Sequence, residues 1–213
     1  MATIEHVEPA AQLQDFQVHD DSGALRQSGK MQDKKLHGKF TEFDDLGRTT
    51  QDSTYSAGVL HGEQKLYAHG SLRALFPHVS GMRHGSAVLY GASGLIAAKR
   101  EYAHGVLQGD ALDYDDDGNL VGKTPYSKGK REGEAVTYYP SGKVMEKAPY
   151  KDDVLDGEVK FYAYDGTLIL TKKYEKGKRV DAPAPAVQKP ADVHAAKPAS
   201  IAPKKTFPLT KLR

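Results

Sequence analysis

Eighteen of the 21 glycines in this chain fall into three columns that recur every 23 or 24 residues. The first column is Gly38, Gly62, Gly85, Gly109, Gly133 and Gly157, and the second is Gly23, Gly47, Gly70, Gly94, Gly118, Gly142 and Gly166. The third is Gly58, Gly81, Gly105, Gly129 and Gly177, with Asp153 in the vacant slot. One supersecondary unit repeated at a fixed period means a stacked architecture in which each unit meets only its neighbours. Surfaces of that kind usually bind rather than catalyse.

Each repeat reads as two strands and two turns. After a first-column glycine comes a short β-type segment such as Glu134-Ala135-Val136-Thr137-Tyr138-Tyr139. Five residues past that glycine the position is always aromatic: Phe43, Tyr67, Tyr90, Tyr114, Tyr138, Tyr162. A turn rich in Pro, Ser and Asp follows and ends on the second-column glycine, as in Tyr139-Pro140-Ser141-Gly142. Two residues beyond that glycine stands a largely aliphatic column, Leu25, Thr49, Leu72, Ile96, Leu120, Val144 and Leu168. Eight beyond it stands another, Met31, Tyr55, His78, Tyr102, Tyr126, Tyr150 and Tyr174. Both offsets are even, so an unbroken strand would present the two columns on one face. The spacing falls to 23 once, ahead of Gly70, and a turn absorbs such a deletion where a strand would flip its faces. No segment keeps a helical period.

The expected fold is therefore all-β: an elongated, single-layer antiparallel ribbon of stacked β-hairpins, advancing roughly 9.5 Å per repeat from two strands. The repeat domain spans 14–180, after an N-terminal extension over 1–13. From 181 to 213 the pattern stops; residues 182–213 hold six Pro, eight Ala and no Gly, which predicts a disordered, polyproline-like tail.

Composition narrows the function. Cysteine and tryptophan are absent, which removes disulfides and thiolate metal sites. The first residues lack the basic and apolar regions of a secretory signal, and no stretch approaches the roughly 18 apolar residues of a membrane span. These features predict a soluble, cytoplasmic protein. The net charge of +2 is too small to argue for nucleic acid as the main partner.

The stretches Tyr55-x-x-Gly58-x-x-His61-Gly62 and Gly81-x-x-His84-Gly85 resemble MORN repeats, as does Tyr102-x-x-Gly105-x-x-x-Gly109. The 24-residue period and the wording from Tyr126 to Glu134 resemble the bacterial MORN-repeat variant more closely, over about residues 14–180. Many proteins of that family carry the label of YwqK-type antitoxins, and eukaryotic MORN proteins are linked to lipid binding and scaffolding. The chain departs from the pattern at His78 and at Asp153.

Three constellations invite a chemical reading. Asp113-Tyr114-Asp115-Asp116-Asp117-Gly118 opens like a calcium loop, but its twelfth position is Thr124 in place of a bidentate Glu. It coincides with a repeat turn, so a solvated acidic turn is the reading adopted. His37, His61 and His84 precede first-column glycines and would align along one edge, too far apart for one metal ion. That column continues as Gln108, Glu132 and Asp156, which no ligand set requires. The tyrosine ladders read mainly as core, yet a one-layer sheet leaves part of them open for a partner. Tyr139, Phe161 and Tyr164 lie outside the strict columns and are expected to be free for contact.

Nucleophile elbow, phosphate loop, His-Glu-x-x-His and cysteine nucleophile are all missing, so no enzyme, cofactor or metal is expected. The leading expectation is a protein-binding module that neutralises or chaperones a cognate protein, such as a toxin or secreted effector, by covering its surface. The expected contact residues are Tyr90, Tyr114, Asp115, Asp117, Tyr138, Tyr139, Phe161, Tyr162 and Tyr164. The alternative is a phospholipid-associated scaffold at a membrane surface. A third reading, a carbohydrate binder, fits poorly with the missing export signal. Open edge strands also offer a route to homo-oligomers.

Overall fold

A computed structural model describes residues 12–181. The chain divides into two units, Met1–Asp181 and Ala182–Arg213, and the expected tail and most of the N-terminal extension lie outside the described residues. Within them there is no helix, and 18 antiparallel strands form one open sheet. Each long strand pairs with its sequence neighbours, giving a meander from Gln14–His19 to Leu168–Glu175.

The three glycine columns correspond to three places per repeat where the backbone enters the left-handed region. All eighteen column glycines have positive φ, and the remaining three, Gly29, Gly91 and Gly122, do not. The second column closes a four-residue turn. In Asp115–Gly118 the Gly118 N–H donates to the Asp115 carbonyl at 3.1 Å, and the Asp115 N–H donates to Asn119 O at 3.0 Å. The Asp115 carboxylate also accepts the N–H groups of Asp117 and Asn119, at 3.0 and 2.8 Å. Asp20 and Asp44 cap their turns in the same way. At the short interval the turn shrinks to His69 and Gly70, flanked by the pair Ala68↔Ser71, and both strands keep their register. The deletion is absorbed where the sequence placed it.

The third column sits in two-residue turns such as Lys128-Gly129, with φ of 51° and 81° between the paired Ser127 and Lys130. Two successive positive φ values make the mirror-image turn whose twist matches flanking strands. Asp153 holds the same conformation at φ 70° without glycine's freedom. Its carboxylate accepts the Arg131 backbone N–H at 2.9 Å, and Arg131 Nη2 donates to its carbonyl at 2.7 Å. The unfavourable backbone is thus held by the preceding repeat.

These turns also stack. The Gly105, Gly129 and Gly177 N–H groups donate to Arg83, Leu107 and Leu155 carbonyls one repeat earlier. The residue ahead of each uses a side-chain acceptor. Ala57, Ser80 and His104 N–H groups donate to Nδ1 of His37, His61 and His84 at 3.3–3.4 Å. Lys128, Asp152 and Lys176 N–H groups donate to Gln108, Glu132 and Asp156. The mixed His/Gln/Glu/Asp column is explained by this single requirement, an acceptor for the next turn.

Bulges decide the faces. The Asp113↔Gly122 pair is followed by Tyr114↔Leu120, so Val121 is extra. The same slip recurs beside every aromatic-column residue. It reverses the alternation, so Leu120 and Tyr126 lie on opposite faces despite their even offset. The expectation of a shared face fails because the strand is not unbroken.

The first face carries the better-buried residues in one row across the ladder: Phe40, Ser53, Gln64 and Phe76, then Ala87, Arg100, Ala111 and Thr124. Ala87 is fully buried and Phe76 only 3% exposed. Large neighbours lean over this row in place of a second layer. Leu66 and Tyr102 pack on it, and the Arg83 guanidinium sits 4.2 Å from the Phe76 ring centroid.

Gly157 has φ +124°, and a Cβ there would lie 2.9 Å from Pro149 Cγ. Gly157→Ala is expected to cost on the order of 1–3 kcal/mol, while Gly91→Ala stays within about 0.5 kcal/mol. Denaturant melts of the two variants check this contrast.

Candidate functional site

The opposite, second face carries the aromatic column. The bulge sets each ring directly across from an aliphatic residue: Tyr67↔Leu72, Tyr90↔Ile96, Tyr114↔Leu120, Tyr138↔Val144 and Tyr162↔Leu168. Every tyrosine in this line is half-buried and none is sequestered. Each ring therefore leans on an aliphatic neighbour and leaves part of its surface in solvent.

Beside the aromatic line runs a row in which Leu112, Lys123, Val136, Lys147 and Lys160 lie across from one another. Its lysines are matched to carboxylates. Lys123 meets Asp110 at 2.7 Å, Lys147 meets Glu134 at 2.9 Å, and Lys160 meets Glu158 at 3.3 Å. Hydrogen bonds to those carboxylates raise the pKa of Lys123 and Lys147 above the ordinary lysine value. Exposed pairs of this sort add little stability, but they neutralise the face locally. Between consecutive turns, Asn119, Leu120, Tyr138, Pro140, Ser141 and Gly142 line a shallow cleft.

The expected contact residues divide among several places. Tyr90, Tyr114, Tyr138 and Tyr162 share the second face. Phe161 does not join them: it lies across from Glu146 and Leu170 on the first face, with Lys172 Nζ 4.9 Å from its ring centroid. Tyr139 is tied down, since its hydroxyl donates to the Tyr162 carbonyl at 2.8 Å. Its ring meets that of Tyr164 edge-on at 5.3 Å, and Tyr164 is 60% exposed. Asp115 is committed to its turn, where the Asn119 side chain and backbone N–H hold its carboxyl below the usual range. Asp117 is exposed in the same turn.

Sequence reasoning missed the aliphatic half of the site. Ile96, Leu120 and Val144 carry a readable column, but only the bulge places them opposite the tyrosines. The calcium-like run is also dispersed, because Asp113 pairs with Arg100 while Asp115 caps its own turn. Among the described residues no group of three His, Asp or Glu is placed to hold a metal ion, and no helix is long and apolar enough to cross a membrane.

His78 takes an aromatic slot of the first face. Burial pushes its pKa below the ordinary value; the bond between Nδ1 and the Phe76 carbonyl at 3.0 Å opposes this, and the Arg83 charge adds to it. An unfolded histidine titrates near about 6.5, so acid below that pH protonates the unfolded state preferentially and stability falls as pH drops. The melting temperature should decline between pH 7 and 5, and less in His78→Tyr; thermal scans across that range read the difference.

The family model described as the MORN repeat variant matches residues 107–128 and 131–152, two adjacent repeats. These stretches contain Tyr114, Asp115, Asp117, Tyr138 and Tyr139. Two adjacent repeats thus match the MORN repeat variant, and the same three-glycine pattern extends through the described sheet. No curated protein matches the chain.

Proposed function

We propose that this MORN-repeat chain is a non-catalytic module that covers the functional surface of one cognate protein, as an antitoxin, immunity protein or effector chaperone does. The observation that carries the reading is the line of Tyr90, Tyr114, Tyr138 and Tyr162, each partly open and backed by an aliphatic residue. Tyrosine combines apolar area with a polar tip and suits a protein interface for that reason. Two strands separate successive rings, roughly 9.5 Å, so the line can contact an extended surface at regular points.

The charge arrangement favours a protein over a polyanion. Lys123, Lys147 and Lys160 already have carboxylate partners, so around Tyr114, Tyr138 and Tyr162 the face offers hydrogen-bonding groups with its charge locally matched. A nucleic acid or an anionic membrane would call for unpaired cations.

The test is capture of a stoichiometric partner from the native cells, followed by titration with variants. Tyr114→Ala and Tyr138→Ala should each weaken that complex about 10–100-fold while the circular dichroism spectrum is kept. Absence of a stoichiometric protein, with salt-sensitive flotation on anionic vesicles instead, overturns the reading in favour of a membrane scaffold.

A further inference from the structure

The sheet ends in two unlike edges. Strand Gln14–His19 is the first strand of a repeat and has no strand before it among the described residues. Strand Leu168–Glu175 is the second strand of a repeat, followed among the described residues only by a turn and the pair Lys178–Arg179. Positions that a following strand half-covers elsewhere are bare here. Leu168 and Ile169 are 50% and 60% exposed, whereas their counterparts Val144 and Met145 are half-buried. At the other edge Val18 is 44% exposed, while its counterparts Leu66, Leu89 and Phe161 are half-buried.

Asp181 stands where the next first-column glycine would fall, and its φ is not positive. Its carboxylate accepts the Lys173 N–H at 2.9 Å and two Arg179 guanidinium bonds at 3.0 and 2.9 Å. The Arg179 contact leads in holding its pKa down to about 2. The chain therefore closes onto Lys173 instead of making the register shift that accompanies the first-column glycine in strands such as Lys35–Phe43, Val59–Ala68 and Val106–Tyr114. The Lys173 carbonyl also accepts from Val180 N–H, so the backbone of Lys173 faces outward on both counts. Alternation along the strand turns the N–H and C=O of Thr171 outward too. The residues equivalent to Thr171, Lys123 and Lys147, pair with Val136 and Lys160 of a following strand. Thr171 has no such strand among the described residues.

We propose that the strand Gln14–His19 of a second copy docks on this edge, head to tail, and continues the sheet. The register follows from the internal junctions, where Glu146 pairs with Phe161 and Lys147 with Lys160. Transferred by the repeat, it sets Leu170 opposite Val18, Thr171 opposite Gln17 and Lys172 opposite Phe16 of the second copy, with Asp15 beside Lys173. Each pairing is complementary. Leu170 and Val18 cover each other, and Lys172 gains a second ring after Phe161. The charges agree as well: Lys172, Lys176 and Lys178 stand at one end, beside Lys173 and its partner Glu175, and Asp15 and Asp21 stand at the other. Because the two surfaces differ, association is heterologous and open-ended. Four residues a side make a small contact, so it is weak and concentration-dependent. This inference is independent of the cognate-partner reading.

Sedimentation velocity of the full chain tests it. The average mass of the wild type should rise with concentration. Val18→Lys spoils one edge with a surface charge, and Thr171→Pro deletes an outward N–H at the other; each alone should stay monomeric. A 1:1 mixture of the two should form dimers, because the intact edge of each chain meets the intact edge of the other. Asp15→Lys serves as a second first-edge variant, and thermal melts confirm that all are folded. A wild type that remains monomeric at millimolar concentration overturns the proposal. So does self-association of Val18→Lys alone, which signals pairing between like edges.

Discussion

Everything in this sheet depends on a backbone that must enter the left-handed region at three fixed points in each repeat. An L-residue with a Cβ resists that conformation, so glycine holds eighteen of the slots. Two of these points reverse the chain and the third, at the first-column glycine, lets a strand bulge past its partner. Strand length, register and face then follow. Where glycine is absent, as at Asp153, hydrogen bonds from Arg131 of the preceding repeat hold the turn. The exception shows the same constraint met by another means.

A single layer cannot bury a core between two surfaces, and this sheet uses two substitutes. Along the middle of the first face, small residues such as Ala87 and Ala111 let Leu66, Tyr102 and Arg83 lean inward over the row with Phe76. Along the turn edge, the third-column turns hydrogen-bond to the repeat before them through the N–H of a glycine, or of Asp153, and through a side-chain acceptor. Each such bond is worth roughly 0.5–1.5 kcal/mol net, so the stack is stabilised by many similar increments between neighbours. Local damage is correspondingly local, and the terminal repeats, lacking a neighbour on one side, are the exposed ones.

The two faces of the same strands serve different ends. The first buries what it can and carries the titratable outliers, His78 and Glu146, whose pKa values are shifted by burial. The second leaves its tyrosines half open beside aliphatic partners and pairs Lys123, Lys147 and Lys160 with carboxylates. Phe161, grouped with the contact residues because it lies outside the strict columns, belongs to the first face because it alternates with Tyr162, which lies across from Leu168 on the second. One residue of offset thus separates a packing role from a docking one.

The all-β class, the repeat boundaries, the turns and even the absorbed deletion at His69-Gly70 were legible in the chain, since φ preference and turn chemistry are local properties. The aromatic column was equally plain. What no column revealed was which side of the sheet each line occupies: Leu120 and Tyr126 are six residues apart in one strand, yet the extra Val121 sends them to opposite faces. A bulge exists only relative to the partner strand's register, and register is a relation between strands. The common purpose of His37, Gln108 and Glu132 was hidden for the same reason, because the N–H they serve belongs to the next repeat. Local conformation was decided by the sequence; faces and inter-repeat partners were decided only when the strands came together.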